Sequence, residues 1–180
     1  MPKPRPIPKA LATKLARVRM FLCDVDGVLT NATVLMGDGR EFKQFHIRDG
    51  LGLRLLQRSG IKVGWVSNRP STATQQRAEE LKVDFLHQTR GSKVEAVEGI
   101  LMQTGLDWGD VCYMGDDVVD LGALKRAGAA IGVPGAVEEV KSFADYVTHA
   151  EGGAGAVREV AELILKAQNK WKPLVLEYSA

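Results

Sequence analysis

Apolar blocks alternate along the chain with amphipathic stretches, and this alternation predicts strands and helices in turn. The apolar run within residues 18–25 is typical of a buried strand that ends where charged residues begin. Further strands are predicted at residues 62–67, 83–87, 111–115, 129–133 and 145–147. Helices are predicted at residues 49–59, 71–81, 93–104, 118–127 and 157–168. Because helices separate successive strands, we expect a doubly wound α/β domain with a parallel sheet.

One segment departs from this alternation. Residues 33–46 hold two short apolar runs around the turn Gly37-Asp38-Gly39, a pattern that predicts a β-hairpin flap. The Pro-rich and basic start of the chain predicts an extended tail and lead-in over residues 1–17. Residues 18–170 then form the predicted folded domain, and residues 171–180 a C-terminal tail.

Composition supports a single domain. The chain has 180 residues, 45% of them hydrophobic, which is enough to bury a full core. A net charge of +2 gives no reason to expect a nucleic-acid partner, and no stretch is long enough to span a membrane. Cys23 and Cys112 fall in predicted strands, where we expect small core residues suited to a reducing cytoplasm.

Polar side chains follow the predicted strands at the edge where ligands collect in a parallel sheet. They are Asp24, Asp26, Ser67, Asn68, Lys93, Asp116 and Asp117. A hydroxyl, an ammonium group and a cation held by carboxylates would together stabilise a transferring phosphoryl group. Taken singly, Ser67 could be a helix cap and Lys93 a solvated helix start. Their joint placement favours phosphoryl chemistry.

The order of these residues resembles the haloacid dehalogenase superfamily of phosphatases, which has a Rossmann-like fold. The matching motifs are Asp24-x-Asp26-Gly27-Val-Leu-Thr30, Ser67, Lys93, and Gly115-Asp116-Asp117 with Asp120. The similarity continues through the glycine-rich residues 152–160.

The resemblance implies four catalytic residues. Asp24 would be the nucleophile that forms an aspartyl-phosphate, and Asp26 would protonate the leaving oxygen and then activate water. Ser67 and Lys93 would bind the phosphoryl group.

The resemblance also implies a magnesium site and a set of supporting residues. Mg²⁺ would be held by Asp24, by the backbone carbonyl of Asp26 and by Asp116. Gly27, Asp117 and Asp120 would support the site, with Asp117 steadying Lys93.

The spacing between the motifs indicates which subclass of the superfamily this chain resembles. Only 40 residues separate Asp26 from Ser67, and the hairpin and one helix occupy them, so no separate cap domain is expected. The capless sugar-acid phosphatases that this chain resembles assemble as homotetramers, in which neighbouring subunits cover the active site. Apolar hairpin residues such as Val34, Leu35, Phe42 and Phe45 would suit such an interface, or would fold onto their own domain.

Within the capless group, the segment around Arg48-Asp49-Gly50 and the residue Arg69 resemble the 3-deoxy-D-manno-octulosonate 8-phosphate phosphatase family, which serves lipopolysaccharide synthesis. Motif two reads Ser67-Asn68-Arg69 where that family commonly has Thr-Gly-Arg. The implied substrate-binding residues are His46, Ile47, Arg48, Asp49, Gly50, Arg54, Asn68, Arg69 and Arg77. Arginines suit a substrate that carries both phosphate and carboxylate, although Arg54 and Arg77 could also be ordinary helix charges.

Three other functions stay open at this point. They are a phosphatase for a nine-carbon sugar-acid 9-phosphate, a phosphotransferase with the same aspartyl-phosphate, and a non-catalytic sugar-phosphate-binding subunit.

Overall fold

Six parallel strands form the central sheet, in the order β5-β4-β1-β6-β7-β8. The structure is a computed structural model that describes residues 8–179, so residues 1–7 of the predicted tail and lead-in lie outside the described residues. Its strands are β1 (Met20–Cys23), β2 (Leu35–Gly37), β3 (Arg40–Phe42), β4 (Lys62–Ser67), β5 (Phe85–Gln88), β6 (Val111–Gly115), β7 (Ala129–Gly132) and β8 (Tyr146–Val147).

Strand β1 lies at the centre of the sheet and is buried throughout. Helices cover the sheet, which explains why this strand is apolar at every position and does not alternate. The chain runs from β1 outward to β4 and β5, then crosses back to β6 on the other side of β1. The order therefore reverses between β1 and β6, which is where ligands bind in open α/β sheets. The predicted doubly wound, Rossmann-like fold is confirmed.

Two groups of helices pack on the sheet. The helices are α1 (Lys9–Ala16), α2 (Ile47–Arg58), α3 (Thr72–Leu81), α4 (Lys93–Thr104), α5 (Leu121–Leu124), α6 (Glu138–Phe143), α7 (Ala156–Ala167) and α8 (Trp171–Glu177). Helix α7 contacts α1, α2 and α8, whereas α5 contacts α4 and α6. Among the described residues, no helix is both long enough and apolar enough to cross a lipid bilayer.

The hairpin flap forms where it was predicted. Strands β2 and β3 pair antiparallel around Asp38 and Gly39, which both adopt positive φ angles, as a tight two-residue hairpin turn requires. Leu35, Met36 and Phe42 are exposed on this flap. Phe45, at its base, instead stacks on Trp65 of its own domain. Within residues 8–179 no separate cap domain accompanies the flap.

The prediction of one continuous helix over residues 118–127 is wrong, because two shorter elements occupy this segment. A 3₁₀ turn over Val118–Asp120 comes first, and the four-residue helix α5 follows. The turn forms because Asp117 and Asp120 cap each other's backbone amides.

Three helices were not predicted from the sequence. They are α1, α6 and α8. Leu11 and Leu15 of α1 and Leu174 of α8 are buried, so both helices are held by packing in segments that were expected to be tails. An ion pair of 2.6 Å between Arg58 and Glu177 also joins α2 to α8.

Candidate active site

Asp24 occupies the carboxyl end of the central strand. Cys23, the residue before it, pairs in register with Trp65 of β4 and Met114 of β6, so the residues after these three strands converge. The Asp24 amide donates to the Met114 carbonyl at 3.0 Å. Its carboxylate Oδ1 accepts from the Val25 amide at 2.6 Å, and the residue is buried. The side chain is therefore fixed at the point where the strand order reverses.

Lys93 reaches Asp24 from the first residue of α4. Ser92 caps this helix by accepting from the Glu95 amide, so the lysine starts the helix as the sequence predicted. The buried Lys93 Nζ lies 2.9 Å from Asp24 Oδ2 and 2.7 Å from Asp120 Oδ1. The ammonium thus bridges the predicted nucleophile and a second carboxylate.

Asp120, and not Asp117, is the second partner of Lys93, so the prediction that Asp117 steadies this lysine is wrong. Asp120 Oδ1 also accepts from the Tyr113 hydroxyl at 2.8 Å. Its Oδ2 accepts from the amides of Asp116 at 3.2 Å and Asp117 at 3.3 Å. The Asp117 carboxylate instead accepts from the Val118 amide at 2.6 Å. Two acidic residues three positions apart look alike in sequence, and only the turn between them decides which one faces inward.

The site holds more negative than positive charge. Burial and then the charge of Asp120 raise the pKa of Asp24 to about 6, against the opposing effect of Lys93. Burial and then the charges of Asp24 and Asp120 raise the pKa of Asp116 to about 7. Burial by itself lowers the pKa of Lys93, but the Asp120 and Asp24 carboxylates outweigh it and the net pKa is raised. A bound cation would relieve this repulsion.

Two of the three predicted metal ligands meet the requirements of a hard cation. Carboxylate oxygens of Asp24, Asp116 and Asp120 lie within 4.8 Å of one another. Asp120 already accepts four hydrogen bonds, whereas Asp116 Oδ1 is buried with no hydrogen-bond partner. Oxygen ligands of this kind are those that Mg²⁺ prefers, so Asp24 and Asp116 fit such an ion.

Gly27 and two distant glycines shape the loop around these carboxylates. Gly27 has a φ of +92°, and a Cβ atom there would overlap the Asp116 carboxylate. Gly152 and Gly153 lie against Gly27 and Thr30 so closely that a Cβ on either would overlap backbone atoms. The Gly153 amide donates to the Val28 carbonyl at 3.0 Å. Gly152 and Gly153 therefore support the Asp24–Thr30 loop by close packing.

Asp26 has a partner that the sequence analysis missed. Lys43, which directly follows β3, places its Nζ 2.7 Å from Asp26 Oδ1 and 2.9 Å from Oδ2. The hairpin also reaches motif two, because Glu41 Oε2 accepts from Nε and Nη2 of Arg69. In the sequence, the only signal for these two contacts was the spacing of Glu41 and Lys43, which lie two positions apart at the second hairpin strand.

Hydrogen bonds of the Ser67 and Asn68 side chains fix the conformation of motif two. Ser67 ends β4 and is buried, and its Oγ accepts from the Arg69 amide at 3.1 Å. The Asn68 side-chain amide donates to the Gly91 carbonyl at 3.1 Å, so this residue ties motif two to the loop before α4. Related proteins commonly have glycine at this position. The side chain of Asn68 is accommodated because it points to the Gly91 carbonyl and away from the site.

A cleft of about 740 Å³ lies between the hairpin and α3. Its lining includes Lys43 and Arg77, together with the hairpin residues Arg40 and Glu41. Arg77 pairs with Glu80 at 2.7 Å and packs over Gly50, where a Cβ would lie 2.6 Å from the guanidinium. The cleft therefore brings together Lys43, the partner of Asp26, and Arg77, one of the predicted substrate-binding residues.

Two of the predicted substrate-binding residues are engaged in holding the fold. Asp49 is buried and accepts from the amides of Gly155 at 3.3 Å and Arg158 at 2.7 Å, so it caps α7. Arg54 donates to Gln57 Oε1 and to the Leu81 carbonyl.

The other residues of that segment lie at the start of α2. His46 precedes the helix, with its Nδ1 at 3.8 Å from the Asp49 carboxylate. Ile47 and Arg48 are exposed there.

A buried aspartate at the switch point of a parallel sheet, linked to a lysine and to an acidic loop, defines the haloacid dehalogenase class of hydrolases. The family model for haloacid dehalogenase-like hydrolases matches residues 86–159. A curated relative, 3-deoxy-D-manno-octulosonate 8-phosphate phosphatase KdsC of Salmonella typhi, is 36% identical over 166 residues, covering 92% of this chain and 88% of the relative.

Solved structures agree with this class. The phosphatase of the same description from Moraxella catarrhalis, solved with magnesium, phosphate and a KDO molecule, is 37% identical with a TM-score of 0.91, covering 93% of this chain and 97% of that one. A hypothetical protein of Xanthomonas campestris matches with a TM-score of 0.95 at 33% identity over 100% of both chains. The chain belongs to the 3-deoxy-D-manno-octulosonate 8-phosphate phosphatase family of haloacid dehalogenase-like hydrolases, and it is a phosphatase.

Proposed function

We propose that this phosphatase hydrolyses 3-deoxy-D-manno-octulosonate 8-phosphate to the free sugar acid and phosphate. The observation that carries the chemistry is the buried Asp24–Lys93–Asp120 cluster beside the unpartnered Asp116 oxygen. The substrate is supported by the relatives' names and by the KDO molecule in the Moraxella catarrhalis structure. In this role the enzyme would serve lipopolysaccharide synthesis.

The first step is phosphoryl transfer to Asp24. An oxygen of its carboxylate bonds to phosphorus while the bond from phosphorus to the sugar oxygen breaks. The leaving oxygen takes a proton from Asp26, and the ammonium of Lys93 and the hydroxyl of Ser67 stabilise the charge on the phosphoryl oxygens.

The second step releases phosphate. Water attacks the phosphorus of the aspartyl-phosphate and gives a proton to Asp26, while the bond from phosphorus to the Asp24 oxygen breaks. The Asp24 carboxylate is regenerated and Asp26 is protonated again, so the cycle closes without another reactant.

Mg²⁺ is the proposed cofactor, held by the carboxylates of Asp24 and Asp116 and by the backbone carbonyl of Asp26. When bound, the ion supplies positive charge that screens the phosphate from the carboxylates.

We expect Mg²⁺ to raise the melting temperature far more at about pH 8 than at about pH 5, because Asp24 and Asp116 hold protons below their raised pKa values of about 6 and about 7. In the metal-free protein, the folded state binds these protons more tightly than the unfolded chain. Its free energy of unfolding therefore falls as pH rises through this range, and the ion offsets that loss. A hundredfold excess over Kd is worth about 2.7 kcal/mol, or roughly 5–10 °C.

Differential scanning fluorimetry with Mg²⁺ or EDTA measures this shift. Asp116→Asn is the matched variant and should lose most of it, since it removes one ligand carboxylate. An equal Mg²⁺ shift at both pH values would contradict a site built on these two carboxylates.

The hairpin supports a proposed homotetramer. Leu35 and Met36 are 69% and 64% exposed, and an apolar flap of this kind suits a shared interface that walls the active site. A cytoplasmic location is proposed as well, because the free thiols of Cys23 and Cys112 are buried without a disulfide.

Arg69 supports the octulosonate substrate over a nine-carbon alternative. The octulosonate phosphatases that this chain resembles have an arginine here, whereas the nine-carbon phosphatases can have an acidic residue at this position. In this structure Nε and Nη2 of Arg69 donate to Glu41. A nine-carbon sugar-acid 9-phosphate is the second candidate, because it carries the same two anionic groups.

Phosphate release from a panel of sugar phosphates, with Mg²⁺ and again with EDTA, tests the proposal. The panel holds the octulosonate 8-phosphate, nine-carbon sugar-acid 9-phosphates and hexose phosphates. A Mg²⁺-dependent preference for the octulosonate is expected. Preference for a nine-carbon substrate would replace the proposed substrate, and no turnover on any of them would favour a non-catalytic binding subunit.

A further inference from the structure

We propose that Lys43 is a positioning residue that holds the Asp26 side chain in place for its acid/base role. The inference rests on the acid/base role proposed for Asp26. It concerns a residue on the hairpin, outside the four sequence motifs, and gives the flap a part in the chemical step.

The ion pair between Lys43 and Asp26 is close, and its lysine side chain is buried. The ammonium donates to Asp26 Oδ2 at 2.9 Å and lies 2.7 Å from Oδ1, which accepts no hydrogen bond from the described residues, so the pair restrains rotation of the carboxyl group about its last bond. The Lys43 side chain is 0% exposed, whereas that of Asp26 is 24% exposed. A buried ammonium requires charged or polar partners, and those of Lys43 are Asp26 and, at 3.5 Å, Glu41.

Lys43 is the one cation in ion-pair contact with this carboxylate within residues 8–179. The charge of Arg69 also acts on Asp26, but without an ion-pair contact. Asp24, by contrast, is fixed by both the Val25 amide and Lys93. Removing the Lys43 ammonium would therefore leave Asp26 free to turn while the nucleophile stays in place.

The hairpin strand explains why a lysine at this position reaches the site. Side chains two positions apart in an extended strand lie on the same face, which places Glu41 and Lys43 together. Glu41 binds Arg69 through Oε2 and approaches Lys43 through Oε1. The chain of charges Asp26–Lys43–Glu41–Arg69 thus aligns the acid/base residue with the arginine proposed to bind the substrate.

The dependence of the reaction rate on the leaving group distinguishes a positioning role of Lys43 from a purely structural one. A sugar alkoxide is a poor leaving group that needs a proton in the transition state, whereas 4-nitrophenolate leaves without one. Loss of a correctly placed acid therefore slows phosphoryl transfer from the sugar phosphate and spares that from the aryl phosphate. This difference is read in kcat/KM, because the later release of phosphate is common to both substrates. General damage to the site slows both substrates equally.

The experiment compares kcat/KM for Lys43→Met on the alkyl sugar phosphate that the enzyme turns over best and on 4-nitrophenyl phosphate. We expect kcat/KM on the sugar phosphate to fall by about 100-fold, and kcat/KM on the aryl phosphate to fall by less than about threefold. Lys43→Arg should recover about tenfold of the loss, because it keeps the charge. Lys62→Met, the same change at an exposed position at the start of β4, should leave both rates unchanged.

The ratio of the two kcat/KM values within one preparation does not depend on how much of the enzyme is folded. Lys43→Gln is a second variant, used if Lys43→Met does not fold. It also removes the charge but keeps a polar side chain. Equal losses on both substrates, or no loss on either, would overturn the proposal.

The variant Asp26→Asn distinguishes failure of the positioning role of Lys43 from failure of the proposed function. If Asp26→Asn slows only the sugar phosphate and the Lys43 variants do not, the positioning role alone is wrong. If Asp26→Asn shows no leaving-group dependence, the acid/base role of Asp26 is wrong and the inference falls with it.

Discussion

Replacing Asp24 with asparagine is expected to reduce kcat/KM for phosphate release by about 10⁴-fold or more, because the proposed nucleophile is lost. The amide has nearly the shape of the carboxylate, so its oxygen can still accept from the Val25 amide. Lys93 keeps its second partner, Asp120, at 2.7 Å. The geometry of the site should survive while its reactive group does not.

The same substitution should leave the free energy of unfolding of the metal-free protein within about 1 kcal/mol at neutral pH, since it removes a charge from a crowded cluster. Burial and Asp120 already disfavour the ionised form of Asp24, whose pKa is raised to about 6. Denaturant unfolding and a phosphate-release assay measure the two effects. Asp38→Asn, in the exposed hairpin turn, is the matched control. Full activity in Asp24→Asn would exclude the covalent mechanism.

Replacing Asp120 with asparagine is expected to damage both stability and activity. Four hydrogen bonds converge on this buried carboxylate, from Lys93, Tyr113 and the amides of Asp116 and Asp117. An amide group offers an N–H where only acceptors are needed, so at least one donor loses its partner. We expect a loss of about 3 kcal/mol of unfolding free energy, as for breaking a buried ion pair. Activity should fall by about 100-fold as Lys93 shifts.

Asp117→Asn is the matched variant for Asp120. Its carboxylate makes a local bond to the Val118 amide, so only a cap is weakened and the cost should be about 1 kcal/mol or less. Thermal unfolding and kcat/KM of both variants, measured side by side, test the assignment. A larger effect at Asp117 than at Asp120 would show that the wrong aspartate was given the role of holding Lys93.

Sequence was sufficient for the sheet because its central strands β1, β6 and β7 are buried throughout and are apolar at nearly every position. The positions of Asp24, Ser67 and Lys93 followed from that, since each stands at a strand end or a helix start. Topology alone brings such residues to one edge. The hairpin was predictable for a similar reason, because Gly39 marks a turn whose geometry excludes most residues.

Contacts that depend on long-range placement were not predictable. Lys43 lies 17 residues after Asp26 in a hairpin whose docking angle no local pattern encodes. Asp49 matched a family motif, yet in the structure its carboxylate caps a helix that begins more than 100 residues later. Arg54 likewise meets the Leu81 carbonyl, which has no sequence signature. The short helix α6 was missed because six residues carry too little periodicity.

The packing of Gly152 and Gly153 on the Asp24–Thr30 loop has a consequence for biosynthesis. The ribosome makes the nucleophile loop first and its glycine support about 125 residues later, so the loop has no lasting hold while most of the chain is still being made. Strand β6, which anchors the Asp24 amide, also emerges late. We therefore expect a nascent chain to be inactive until nearly its whole length has folded, and a chain cut short before Gly152 to carry every catalytic motif without a working site.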